Sequence, residues 1–428
     1  MLISSDMNFK KTTLKNGLRI ITVPMKDTPT ATVLVLVEAG SKYETKDING
    51  LSHFLEHMCF KGTTNRPKAS DISRELDSLG AQYNAFTSQE FTGYYAKAQS
   101  KKLPQLIDII ADMYVNPIFD EKEIEKEKGV IVEEINMYED MPQRHVQEIF
   151  THLLYGDQPA GWDIAGPKEI VRAMTRNHFV NYREKHYVTK GTIVIVAGKI
   201  NEAAVHKQIL KAFEKTSSAE KNGKLPVKEK QNAPALAIKE KKTDQMHLVL
   251  GVRSYDVFDK KLATLKVLSS ALGGGMSSRL FYRMRDQMGV CYYVRAGSDE
   301  FTDHGVFSVA AGVDKTRLIE SVRAILEECR KFVDEPLSVA ELRKTKDYLI
   351  GNLYLGLESS DEIAEFAGMQ EVLKREVKKP DELASKIEKV TARDVQKVAR
   401  ELFQNKRLNL AVIGDVKDKI ALKKALKF

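Results

Sequence analysis

The chain has 428 residues, 43% of them apolar and 29% charged, the proportions of a globular protein rather than a disordered one. Its 67 basic and 59 acidic side chains leave a net charge of +8 with both signs interspersed, which argues against a nucleic-acid-binding face. No apolar run approaches the ~18–20 residues of a membrane span, the opening residues show no apolar signal segment, and Cys59, Cys291 and Cys329 are too scattered for a disulfide scaffold or a thiolate zinc cluster. These features predict a cytoplasmic protein with neither a nucleic-acid nor a membrane partner.

In chain order, Asn16-Gly17 lies between strand-like stretches at 10–14 and 18–23 and predicts a hairpin closed by a type I′ turn. Residues 32–38 read as a buried strand. Residues 70–79 carry the spacing of an amphipathic helix, with Ser70 as N-cap and Gly80 as stop. Residues 81–98, rich in Tyr, Phe and Thr, read as strand, and 103–114 as an apolar-periodic helix.

The chain also repeats itself. Residues 170–201 align without gaps on 386–417 at an offset of 216, close to half the length. Thr175 meets Thr391, Phe179 meets Val395, Tyr187 meets Phe403, and Gly198 meets Gly414. Each copy opens with a threonine before a helical pattern and closes with a short apolar strand stopped by glycine. The polar stretch 215–234 has the composition of a linker. The expected architecture is α+β: two homologous domains, 1–220 and 235–428, each a mostly antiparallel sheet with helices packed on one face.

One stretch carries recognisable chemistry. Residues 53–57 read His-Phe-Leu-Glu-His. On a helix, positions i, i+3 and i+4 share a face, so His53 and His57 can meet one ion with Glu56 beside them. Zinc takes neutral imidazole nitrogens, and an adjacent carboxylate can act as base toward a water. Read alone, the motif leaves open a solvated polar helix face, and a third ligand is required. Glu127 and Glu134 lie two helical turns apart in an acidic segment, and Glu134 follows the apolar run Val130-Ile131-Val132. A carboxylate partly buried there needs a cation.

These residues resemble the pitrilysin family of zinc metallopeptidases, in its processing-peptidase branch and its short two-domain bacterial form. The family signature is HxxEH, 76 residues, then Glu; the count from His57 lands on Glu134, with Glu133 one residue short. The stretch HFLEHMCFKGT from His53 and the stretch NAFTSQEFTGYYAK from Asn84 carry the closest likeness. The resemblance implies one zinc ion per chain, held by His53, His57 and Glu134 with Glu127 behind them. It implies Glu56 as general base toward a zinc-held water, and Asn84, Ala85 and Phe86 as an edge strand that lays out an extended peptide substrate. The second half lacks the zinc motif. There Arg285 and Tyr292 fit a family pair that contacts the substrate carbonyl and the tetrahedral intermediate. The run Gly273-Gly274-Gly275 resembles the family's glycine-rich loop; without a following GK[ST] it is no phosphate cradle. The implied function is a zinc endopeptidase acting on peptides or unfolded segments in an enclosed chamber. Because larger members join two such chains, a homodimer is expected in which Arg285 and Tyr292 act across the dimer. The rival readings are a catalytically silent partner subunit and a zinc-binding protein without hydrolysis.

Overall fold

A strand that is apolar on both faces has to be covered on both, and this requirement organises each half of the protein. The computed structural model describes residues 8–428; the first seven, part of the opening segment read for a signal, lie outside the described residues. The chain divides into two compact units. The first comprises the chain up to Ile135, Asp163–Leu225 and Tyr354–Lys379; the second comprises Asn136–Trp162, Pro226–Leu353 and Pro380–Phe428.

The first unit holds strands β1 (Lys10–Thr13), β2 (Arg19–Pro24), β3 (Thr30–Val37), β4 (Gln82–Thr87), β5 (Thr92–Gln99) and β6 (Thr192–Gly198), in the order β1-β2-β6-β3-β5-β4. All pairings are antiparallel except β2 with β6. Along β3, Val33, Val35 and Val37 point to one core and Leu34 and Leu36 to another, as the two-residue period requires. The first core lies under helices α1 (Leu51–Met58), α2 (Ala69–Ser78) and α3 (Leu103–Val115). The second lies under the helix Ser360–Lys374, which is drawn from the far half of the sequence. Ser360 Oγ lies 2.8 Å from Thr32 Oγ1, and Lys97 pairs with Asp361 at 2.6 Å.

The second unit repeats the plan with β7 (Ala235–Lys239), β8 (Gln245–Ser254), β9 (Cys291–Glu300), β10 (Gly305–Asp314) and β11 (Asn409–Ile413), in the order β7-β11-β8-β10-β9. Again only one pair, β11 with β7, is parallel. Leu248, Leu250 and Val252 of β8 face the larger core, and Val249 faces a smaller one. In chain order the helices after α3 are α4 (Glu121–Asp140) and α5 (Pro142–Tyr155). It is α5, from the first half of the sequence, that fills the smaller core with Val146, Phe150 and Leu154.

Local expectations fare unevenly. The repeat is structural: Arg176–His186 and Ala392–Leu402 are helices at an offset of 216. The layer of helices expected on one face is present, but each sheet is also covered on its other face. The cover comes from the opposite half, so the compact units are not the contiguous stretches 1–220 and 235–428. The hairpin at Asn16-Gly17 forms without a type I′ turn, which needs positive φ at both residues. Only Gly17 has it, at 92°, and the Leu14–Leu18 backbone pair closes a three-residue loop. The helix expected at 70–79 begins at Ala69, and Asp71, not Ser70, caps it by accepting the Lys68 N–H at 3.1 Å. Residues 81–98 are two strands, β4 and β5, joined by a turn.

Candidate metal centre and active site

α1 is amphipathic over eight residues. Leu51, Phe54, Leu55 and Met58 enter the core, and Phe54 meets the Phe179 ring edge-on at 4.8 Å. That packing leaves His53, Glu56 and His57 on the opposite, half-open face. α4 lies across them. Its Ile124 and Ile131 are buried, which fixes the helix rotation and turns Glu127 and Glu134 toward α1. Glu134 Oε2 sits 3.5 Å from His57 Nε2 and 3.6 Å from His53 Nε2. Glu127 Oε1 lies 2.9 Å from His57 Nδ1, and its Oε2 lies 2.5 Å from Lys61 Nζ. A carboxylate only accepts, so His57 Nδ1 carries a hydrogen, and Nε2 is the ring atom that would turn its lone pair to an ion shared with His53 and Glu134.

The three donor atoms lie within 4.8 Å of one another. Tetrahedral zinc with bonds of about 2.0–2.1 Å places its ligand atoms about 3.3–3.4 Å apart, so the separations to Glu134 fit a shared ion with small adjustments. Two imidazoles and one carboxylate, leaving a position open, are also the donor chemistry of catalytic zinc. The electrostatics agree. Burial alone would make His57 less basic, but Glu127 and Glu134 outweigh it and raise its pKa to about 9. Glu127 is held below the usual carboxylate range by His57 and Lys61 in spite of its burial. The cluster thus calls for a positive charge between its acidic groups.

Glu56 is not one of the three converging donors. Burial raises its pKa, and the Thr87 hydroxyl, donating to Oε2 at 2.5 Å, moderates the rise. Thr87 ends β4, an edge strand of the sheet, which carries Asn84, Ala85 and Phe86 opposite Tyr95, Tyr94 and Gly93 of β5. The other long edge of β4 pairs with no strand among the described residues, and the Ala85 N–H donates to Asn84 Oδ1 at 2.9 Å. Cys59, two residues after His57, is buried, contacts the Tyr94 hydroxyl at 3.5 Å, and has its thiol pKa pushed up to about 12 by that burial.

In the second unit, Arg285 belongs to a π-helical segment, Phe281–Gln287. Its Nη1 donates to the Tyr292 carbonyl, and its guanidinium lies 4.9 Å from the centre of the Tyr292 ring. Tyr292, on the edge strand β9, is 73% exposed. The pair is thus assembled, with the phenol open to solvent. Sequence reasoning passed over Lys61 and Glu44. Lys61 had a signal, falling one helical turn after His57; Glu44 had none, because it reaches α1 from a separate segment.

Residues 19–168 match the family described as "Insulinase (Peptidase family M16)", and residues 173–349 match "Peptidase M16 inactive domain". An uncharacterized zinc protease of Streptomyces coelicolor is 34% identical over 418 residues, covering 96% of this chain and 91% of that protein. The uncharacterized zinc protease YmxG of Bacillus subtilis is 34% identical over 395 residues, covering 92% of this chain and 95% of its own. Among solved structures, a protease from Helicobacter pylori aligns with a TM-score of 0.88 at 24% identity, over 95% of this chain and 99% of that one. A peptidase M16 inactive domain from Pseudomonas fluorescens gives 0.88 at 15% identity, over 95% and 98%. These two structures share the duplicated α+β fold.

Proposed function

Since the chain belongs to the insulinase family of peptidases, we propose that it is a zinc-dependent endopeptidase that hydrolyses peptides or unfolded polypeptide segments. The supporting observation is the convergence of His53, His57 and Glu134 beside a half-buried Glu56 that Thr87 holds in place. A zinc ion there supplies Lewis acidity, polarising a carbonyl and lowering the pKa of a water. Glu56 takes the proton of the attacking water and delivers it to the departing amine. Glu127 keeps His57 in the tautomer that offers Nε2. Asn84, Ala85 and Phe86 present edge-strand backbone on which an extended substrate adds as a further strand, a mode tolerant of many sequences. In this reading the protein is a homodimer enclosing a chamber. Arg285 and Tyr292 of one subunit serve the metal centre of the other, donating to the substrate carbonyl as charge develops on it.

The test is metal analysis together with cleavage of an unstructured fluorogenic peptide by wild type and Glu56→Gln. The variant should keep about one zinc per chain and lose turnover by roughly 10²–10⁴-fold. Cleavage at the wild-type rate would refute the general-base role. A zinc-loaded wild type without turnover would favour a catalytically silent subunit, a reading that the match of residues 173–349 with an inactive domain leaves open.

A further inference from the structure

We infer that Glu44 is a positioning residue for the metal centre: its carboxylate caps the helix that carries His53, Glu56 and His57, and so sets the direction in which the two imidazoles point. This rests on the proposed zinc reading.

A helix of eight residues has few internal hydrogen bonds to hold it, and its first N–H groups have no partner within the helix. α1 has no local cap. The residue before it, Gly50, lacks a side chain and adopts φ 99°. Any Cβ there would meet the Ala165 carbonyl oxygen at 2.4 Å, so no local Ser, Asp or Asn can take the capping position. The cap comes instead from Glu44. Its Oε2 accepts the Gly50 N–H at 2.8 Å and its Oε1 accepts the Ser52 N–H at 2.6 Å. Asn49 Nδ2 also donates to Oε2, at 3.0 Å, while donating to the Asp163 carbonyl at 3.1 Å.

Glu44 is only 3% exposed, and burying a carboxylate is unfavourable unless its oxygens are satisfied. Burial raises its pKa to about 7 against the opposing pull of these donors. Such an arrangement would be a poor choice for stability alone. Its geometric consequence is specific: the Ser52 amide directly precedes His53, and both carboxylate oxygens are committed to the turn from which His53 projects. Ser52 Oγ, 2.8 Å from Tyr182 Oη, pins the same turn from another side. His53 is thereby held from its N-terminal side, as Glu127 holds His57 through its ring.

The test uses the full chain loaded with Co²⁺, whose visible d–d bands report ligand geometry without any turnover. Glu44→Gln keeps the shape but only one accepting oxygen; Glu44→Ala keeps neither. Cobalt affinity should fall roughly 10–100-fold in Glu44→Ala and less in Glu44→Gln, with the d–d bands altered in both. On a fluorogenic peptide, kcat should fall in the same order with KM nearly unchanged. A merely structural role would lower the melting temperature and leave the affinity and bands of the folded protein as in wild type, and that result overturns the inference. Should both variants fail to fold, amide hydrogen exchange in the wild type decides. Gly50 and Ser52 should be protected to the level of Phe54, and rapid exchange at both overturns the cap. A wild type that takes up no cobalt would instead refute the zinc reading, leaving the exchange measurement to judge Glu44.

Discussion

Glu133 and Glu134 are adjacent and chemically identical, yet neighbours on a helix point about 100° apart, so only one can face the two histidines. That one is Glu134, within 3.6 Å of both imidazoles, while Glu133 is exposed. Glu134→Gln should weaken zinc binding by orders of magnitude in a chelator competition, and Glu133→Gln should leave it nearly unchanged; comparable losses in both would contradict the assignment. This much was legible in the sequence, because spacing on a helix translates directly into direction. Thr87 and Glu44 were not, since nothing in the order of residues says which distant side chain reaches a given helix. The same holds for His186, which is 4% exposed and lies against Tyr43 and Tyr182. Burial, with Lys221 and Lys185 nearby, lowers its pKa from 6.5 to about 4. The unfolded chain takes up that proton near 6.5 and the fold refuses it until about 4, so this contribution to stability is complete above 6.5 and falls as the pH drops between those values. Between pH 7 and 4.5 the wild type should lose about 1–2 kcal/mol more than His186→Phe in urea unfolding. Equal losses would mean that the ring titrates normally in the folded protein.

At the scale of elements, the strands and most helices could be read from periodicity, but the partners of two helices could not. Shifted by the repeat offset of 216, α5 falls on residues 358–371, close to the helix Ser360–Lys374. The two are equivalents, and each packs on the sheet of the other half. Periodicity shows that a helix has an apolar face and is silent about which sheet receives it. The doubly apolar strands did carry a hint, since Leu34, Leu36, Ile193 and Ile195 need cover that helices on one face cannot supply. Gly368 shows how close the lent helix comes. A Cβ at that position would lie 2.8 Å from Leu36 Cδ1, 3.2 Å from Ile195 Cδ1 and 3.3 Å from Leu34 Cδ2. In Gly368→Ala a helix-propensity gain of about 1 kcal/mol opposes crowding against side-chain ends that can move, so stability should barely change. Gly368→Val adds two methyl groups to the same space and should cost about 1–3 kcal/mol. Thermal melts of the two variants would separate them, and a Val variant as stable as the Ala one would show that the helix does not press on this sheet.

At the scale of the whole molecule, the proposed division of labour places the metal ligands and Glu56 in one unit and Arg285 and Tyr292 in the other. If the pair serves its own chain, every active site is built from one polypeptide. If it serves the partner, each site of a homodimer is composite, and two-fold symmetry generates two such sites. Mixing inactive variants distinguishes these arrangements. Glu56→Gln and Tyr292→Phe should each be poorly active alone. In a mixed dimer, the intact metal site of the Tyr292→Phe chain meets the intact Tyr292 of the other chain, so one of the two sites works. With random exchange about half of the dimers are mixed, and roughly a quarter of wild-type activity should return. Within-chain action predicts no recovery at any mixing ratio, because every site still lacks one component. An active wild type that sediments as a monomer would exclude the composite site altogether, since Tyr292 would then have no second chain to serve.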